Sequence, residues 1–506
     1  MRCLFLFFSV FLIISLSDSK SQTIQNSEIK EKDSELKGLV LDMGQQTALP
    51  YANIYVLHKD VGVISNELGE YSIDISKLDK TDTLRFQYIG YKTKNLTIGY
   101  LIDSSTVYLK EDIINLSETL IFGDAPDPKS IVEKILKNKD VNYKRGANKE
   151  QTFIRERYMS DLDDLKLNLK KNSFSELSDE FIGKFEKSIP KKSISYTDFL
   201  GYIYYSGNAD DSVILKVDPV RTVALKDKTI GEVDQMISVF DNMFRDTQEK
   251  EYWKVKSGVF GHKIDVDDSE RSEDDTLKDN ERRLSFFSRR QEYNLHFRLM
   301  DDKDDWEFLY KTGKYDYSLA GGTKVNGEEV YIIDFKPKSG GVYTGRIYVS
   351  LENYALIKAD YEYARGKSGT DFHLLGVGYT ENVFKGSIYF EKKEDKYILK
   401  YLSRKIGSYV SFNRNVVLLK KRKRFLFDKT LNEIKVGVNL TVKSEQSIEV
   451  LVLNDKEISE KQFSGFKQKD KMEIIYVDQF DDNLWKGFSI IEPIEQMREY
   501  KKQEQN

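Results

Sequence analysis

The chain has 506 residues, with 79 Lys and Arg against 83 Asp and Glu and a formal net charge of −4, so no basic surplus marks it for nucleic acid. Its one cysteine, Cys3, excludes a disulfide framework, and 40% hydrophobic residues are enough to hold folded units together by burial alone. With 31 Tyr and 29 Phe against 7 Pro, strands are expected to dominate.

Met1-Arg2-Cys3 leads into an apolar run from Leu4 to Leu16, followed by Ser17-Asp18-Ser19-Lys20-Ser21-Gln22. One positive charge, a short apolar core and small residues before a cut predict a signal peptide over residues 1–21. The run is shorter than the ~20 residues that cross a bilayer, so no transmembrane span is expected in the mature chain. Cys3 opens this segment, whereas a lipid-bearing cysteine would close it. An exported protein of the periplasm or outer-membrane periphery of a Gram-negative bacterium is expected, with peripheral membrane association open to it. Residues 22–35 read as a disordered linker.

From Leu36 the pattern is one of short strands separated by turn residues. Tyr71, Ile73 and Ile75 alternate with Ser72 and Asp74, and Leu84, Phe86 and Tyr88 alternate with Arg85 and Gln87, which gives each strand one apolar face. Gly69 and Gly90 stand where turns need positive φ, and Pro50 precedes the strand Ala52 to Val56 without breaking a ladder. In order and spacing, Gly38-Leu-Val-Leu-Asp42, Leu49-Pro50-Tyr-Ala52-Asn53-Ile54, Ser65-Asn66-Glu-Leu-Gly69-Glu-Tyr71 and Leu84-Arg-Phe86-Gln-Tyr88-Ile89-Gly90-Tyr91 resemble the carboxypeptidase-regulatory-like domain of Bacteroidota envelope proteins. The resemblance implies a seven-stranded transthyretin-like or immunoglobulin-like β-sandwich over residues 36–122. It implies no peptidase, because that domain is appended to proteins of many kinds.

Asp124-Ala-Pro126-Asp127-Pro128 suits a linker and a helix start, and Ile131, Ile135 and Leu136 mark an amphipathic helix. A strand is expected over Thr152 to Tyr158, with helices near Ser175 to Ser188 and Gly231 to Arg245. The block from Pro128 through Asn142-Tyr143 to Glu156 is similar to the segment that follows the sandwich in uncharacterised envelope proteins of the same group. Residues 123–300 are therefore read as an α+β middle region, with a solvated, highly charged loop over 265–283. As a calcium loop beginning at Asp265 that stretch fails, since Glu270 and Thr276 stand where Gly and Glu are needed.

Residues 301–506 read as a succession of antiparallel strands, among them Lys314 to Leu319, Glu328 to Phe335, Gly345 to Val349 and Ala355 to Tyr363. In pattern they resemble the large curved sheets of periplasmic lipoprotein carriers. Tyr397 to Arg404 sets Lys400 and Arg404 among its apolar residues, which is read as opposing an outer-membrane barrel. The basic run Lys420 to Arg424 offers either a contact for lipid phosphates or a solvated turn, and reads rather as the turn; Phe480 to Pro493 reads as an extended docking segment with Trp485 as its core anchor. The fold class is thus mainly β, α+β overall: an N-terminal seven-stranded sandwich, short helical segments and a large curved antiparallel sheet.

No constellation of catalytic residues emerges. The four histidines, His58, His262, His296 and His373, lie far apart on segments that read as strands or loops. A zinc carboxypeptidase needs a Glu three residues after a His, but Asp265, Val61, Leu299 and Gly376 occupy those places. No Gly-x-Ser-x-Gly elbow exists. Gly366-Lys367-Ser368 has Tyr361 where a phosphate loop needs Gly, so it reads as a hairpin turn. No catalytic, cofactor-binding or metal-binding residue is assigned and no cofactor is expected. The sequence reading is a non-enzymatic envelope protein that acts as a binding or interaction module. Its alternatives are a carrier of lipid or lipoprotein acyl chains in the concave face of the sheet and, remotely, a metal-dependent peptidase.

Overall fold

In the computed structural model, residues 35–59, 61–112, 126–175, 177–207, 213–226, 248, 250–258, 260–264, 281–425, 427–485, 488 and 490–500 are described. The fold is mainly β, with small sheets at the N-terminus and one large sheet after them.

The N-terminal alternation folds into two facing sheets. In chain order these strands are β1 (Glu35–Asp42), β2 (Asn53–Val56), β3 (Gly62–Ile64), β4 (Glu70–Asp74), β5 (Thr83–Gln87) and β6 (Lys94–Thr97), then, after the short helix α1 (Ile98–Asp103), β7 (Thr106–Leu109). They pair as β4-β1-β7 and β3-β2-β5-β6, the seven-stranded sandwich that was expected. Between the sheets lie Val40, Ile54, Tyr71, Ile73, Leu84, Phe86 and Val107, all but excluded from solvent. Gly69 and Gly90 have φ of 77° and 87°, as their turns require. At Gly38 a Cβ would run into the Ser105 carbonyl oxygen and sit 2.5 Å from the Tyr71 ring, so only glycine fits between them.

The second unit begins with α2 (Pro128–Asn142). Asp127 accepts hydrogen bonds from the Lys129 and Ser130 amides, Pro128 opens the helix, and Ile131, Val132 and Ile135 are buried. There follow β8 (Asn148–Asn172), α3 (Asp179–Ser188), β9 (Lys192–Gly207), β10 (Val213–Lys226), β11 (Glu251–Ser257), β12 (Phe260–Ile264), β13 (Glu281–Arg283), α4 (Leu284–Arg298) and α5 (Glu307–Tyr310). The remaining strands are β14 (Tyr315–Val325), β15 (Glu328–Pro337), β16 (Tyr343–Ser350), β17 (Leu356–Tyr363), β18 (Asp371–Leu374), β19 (Val377–Lys393), β20 (Lys396–Arg422), β21 (Lys429–Glu457), β22 (Lys471–Glu473) and β23 (Ile475–Val477). The large sheet runs β14-β15-β16-β17-β19-β20-β21-β8-β9-β10-β23, so strands that precede residue 300 in the chain pair into it beside β21. Its pairings are antiparallel except that of β10 with β23.

The sheet has a core on each face. Ile154, Phe199, Leu402 and Val450 belong to the cluster beneath α2, α4 and α5, together with Ile131, Phe287, Trp306 and Phe308. Their immediate neighbours Phe153, Leu200, Tyr401 and Leu451 belong to another cluster, with Trp485 and Ile491 of the C-terminal segment. Successive residues of a strand point to opposite sides, so helices cover one face while the sandwich and the C-terminal segment cover the other.

Several expectations are corrected here. His296 lies on helix α4, not on a strand or loop. The inner face of α4 carries Ser288, Gln291, Asn294 and Arg298 among its apolar residues, which masks the helical period. Arg298 is there because Glu150 of β8 accepts its hydrogen bond at 2.7 Å. The basic run is not all turn: Lys420 to Arg422 belong to β20, and Lys420 is buried 3.2 Å from Glu251. Asp482–Trp485 forms a turn of 3-10 helix within the segment read as extended, although Trp485 is the buried anchor expected. The helix expected near Gly231 to Arg245 lies outside the described residues. So does the charged loop, save for its end at β13, which pairs with β22.

Candidate functional site

Register brings scattered polar residues of the large sheet into line. On the face that carries the sandwich, Ser318, Asp334, Arg346, Asp360, Ser387, Ser403, Glu449, Arg155 and Asp198 stand directly opposite one another in succession from β14 to β9. Opposite charges alternate along the ends of this row, the favourable cross-strand arrangement. The Arg346 guanidinium donates to both Asp334 oxygens at 2.6 and 2.9 Å. Arg155 holds both oxygens of Asp198 at 2.8 and 2.7 Å, and donates a third bond to the Ile491 carbonyl at 2.9 Å. Asp360 accepts from Ser387 at 2.6 Å and pairs with Lys358 at 2.9 Å.

Rows on either side complete the floor. Two residues along each strand come Glu362, Lys385, Lys405, Ser447, Arg157 and Tyr196, again in direct succession. On the other side, Lys358, Tyr389, Tyr401, Leu451, Phe153 and Leu200 form a row that is mostly aromatic and apolar. The sandwich docks on this last row. Tyr51 stacks on Tyr401 with ring centroids 4.3 Å apart and shares a 3.2 Å hydrogen bond with Ser403, while the Lys358 ammonium lies 4.2 Å over the Tyr88 ring. Glu67 reaches 3.7 Å from Arg157.

Between the sandwich and the charged rows a cleft of about 1210 Å³ stays open. Tyr51, Glu67, Leu68 and Tyr88 of the sandwich form one wall, and Ile494 joins from the C-terminal segment. Six cations (Arg155, Arg157, Lys336, Arg346, Lys385, Lys405) and six carboxylates (Glu67, Asp316, Asp334, Asp360, Glu362, Glu449) line it, which leaves its charge balanced. Such a lining offers many directed hydrogen bonds without a strong field of either sign.

Glu449 is a carboxyl that burial in the cleft perturbs toward its neutral form. Burial raises its pKa above the usual carboxylate range; Arg155 opposes this and Glu67 adds to it. A carboxyl with a raised folded pKa binds its proton more tightly in the folded state, so stability falls as pH rises from the unfolded value into the folded one. Glu449→Gln is therefore expected to be more stable than the parent at neutral pH and equal to it well below pH 4. Urea unfolding of both proteins across that range checks this, and parallel curves would contradict it.

No histidine lines the cleft. His58 sits in a turn with φ of 65°, His262 on β12, His296 on α4 and His373 on β18, 3.4 Å from Asp371. Among the described residues no three His, Cys, Asp or Glu side chains gather as a metal site. Gly366, at φ of 75°, lies in a turn between β17 and β18, as its sequence suggests. On the helix-bearing face, among the described residues, the sheet's own side chains and those of α2, α4 and α5 pack into one core. The open cleft lies on the other face, and its floor is charged.

In sequence, residues 36–121 match the CarboxypepD_reg-like domain. No curated protein matches the chain. Among solved structures, similarity is found to MucB in complex with the periplasmic part of MucA, at 9% identity over 62% of this chain and 94% of that one, with a TM-score of 0.17. A putative outer membrane lipoprotein-sorting protein domain from Vibrio parahaemolyticus is 9% identical over 66% and 97% of the two chains, at a TM-score of 0.18. A DUF1329 family protein from Desulfovibrio piger is 13% identical over 67% and 98%, at 0.17. These superpositions are loose and assign no role. Among the described residues no helix is long and apolar enough to cross a membrane. The seven-stranded fold and the sequence match agree on one identification: the N-terminal unit of this chain is a carboxypeptidase-regulatory-like domain.

Proposed function

We propose that this chain is an exported, non-enzymatic binding protein of the cell envelope, whose ligand lies in the cleft between the regulatory-like sandwich and the large sheet. The observation that carries the reading is the cleft itself. At about 1210 Å³ it exceeds the ~300–1,000 Å³ usual for small-molecule sites, and both units build its walls. The leader-like residues 1–21 support export.

The lining selects the ligand's chemistry. Balanced ion pairs, the hydroxyls of Ser318, Ser387, Ser403 and Ser447, and the Tyr51, Tyr88 and Tyr196 rings favour an extended polar molecule of little net charge, such as a peptide segment or an oligosaccharide. An acyl chain laid on this floor would strip water from the charges and return no hydrogen bonds. The expected result is that protein taken from its own envelope carries a polar molecule that native mass spectrometry detects as added mass, and that denaturation releases it. Protein that is uniformly empty would oppose the reading.

A further inference from the structure

The longest hairpin of the sheet ends in a tip that is both apolar and cationic. β20 and β21 stay paired out to Arg422 opposite Lys429, whereas β8 leaves β21 at Ile434. β11 follows β20 to the same end. This arm has a small core of its own, in which Trp253 packs with Leu177, Ile182, Phe185 and Ile434. Its end is pinned: Glu251 meets Lys420 at 3.2 Å and Arg422 at 2.6 Å, and the Tyr252 hydroxyl donates to Asp428 at 2.6 Å.

On this rigid stem Phe425 is 100% and Phe427 86% exposed, far more than a folded domain usually leaves large aromatic rings. Residues 420–429 carry six Lys or Arg and one Asp, a local charge of +5 in a chain whose total is −4. Lys423, Arg424 and Lys429 are exposed beside the two rings.

We propose that this tip seats the protein on an anionic lipid bilayer, with Phe425 and Phe427 entering the headgroup region and Lys423, Arg424 and Lys429 meeting the lipid phosphates. Apolar rings ringed by cations are the complement of such a surface, which offers an apolar interior beneath a layer of negative charge. The stem keeps the two sites apart. From Lys405 in the cleft to Arg422 at the tip the strand runs for about 17 residues at ~3.3 Å each, up to ~55 Å, so a seated tip leaves the cleft clear and the two can be tested separately.

Co-sedimentation of the purified chain with vesicles of phosphatidylcholine, alone or with phosphatidylglycerol added, tests the proposal. Partitioning is expected to be at least about tenfold stronger with phosphatidylglycerol and to weaken as salt rises. Phe425→Ser with Phe427→Ser should lose about tenfold or more of it, as should Lys423→Ser with Arg424→Ser, while both variants keep the parent's melting temperature. Failure to bind either vesicle, equal binding to both, or undiminished binding by the Phe425→Ser, Phe427→Ser variant would overturn it.

Discussion

Arg155→Met is expected to destabilise the large-sheet unit by about 3 to 5 kcal/mol, because it leaves Asp198 as a buried charge without its partner. Both side chains are buried, Arg155 spans β8 and β9, and its third hydrogen bond holds the Ile491 carbonyl of the C-terminal segment. Burial works against the charge of Arg155, yet Asp198, with Glu449 and Glu492 behind it, holds its pKa above the ordinary arginine value. The double change Arg155→Met, Asp198→Leu should recover much of the loss, since a matched apolar pair needs no compensation. Urea unfolding of the three variants checks both statements. A single variant as stable as the parent would mean that the row of paired charges is not part of what holds the sheet together.

Trp485→Ala should cost a similar amount, about 3 to 5 kcal/mol, for a different reason. The indole is 3% exposed and stands edge-on to Phe153, with ring centroids 5.4 Å apart, among Leu200, Val223, Leu451 and Ile491. Its removal leaves a cavity beneath the segment that bears Ile494, which lines the cleft. The expected readout is a lower melting temperature together with faster proteolytic cutting after residue 478. Unchanged protection there would show that the segment docks without Trp485.

What could be read from the sequence was local. The alternation of Tyr71 and Ile73 and of Leu84 and Phe86, with turn glycines at Gly69 and Gly90, defines the sandwich because a strand's period and a turn's positive φ are written in neighbouring residues. Likewise Asp127-Pro128 announces α2 through capping alone. The cleft was not legible, because Asp334, Arg346, Asp360, Glu449 and Arg155 each look like an ordinary outward-facing polar residue. Only pairing between distant strands puts them in one row, with Glu449 and Arg155 nearly 300 residues apart. The same holds for Lys420, whose partner Glu251 arrives on a strand from the middle of the chain. A run of basic residues carries no sign of which members are neutralised. α4 was missed because its buried face is partly polar, with Arg298, Ser288 and Asn294 paired to Glu150, Gln468 and Arg404 of other elements.

Ser447→Trp tests most directly whether the cleft between sandwich and sheet holds the ligand. Ser447 lies in the floor between Lys405 and Arg157, where a bulky ring enters the open volume away from the apolar cores. Native mass spectrometry of parent and variant, each purified from the same envelope, should show the bound polar molecule on the parent and its loss by at least about tenfold on the variant, with equal melting temperatures. The same added mass on both proteins, or on neither, would contradict the assignment of the cleft as the binding site.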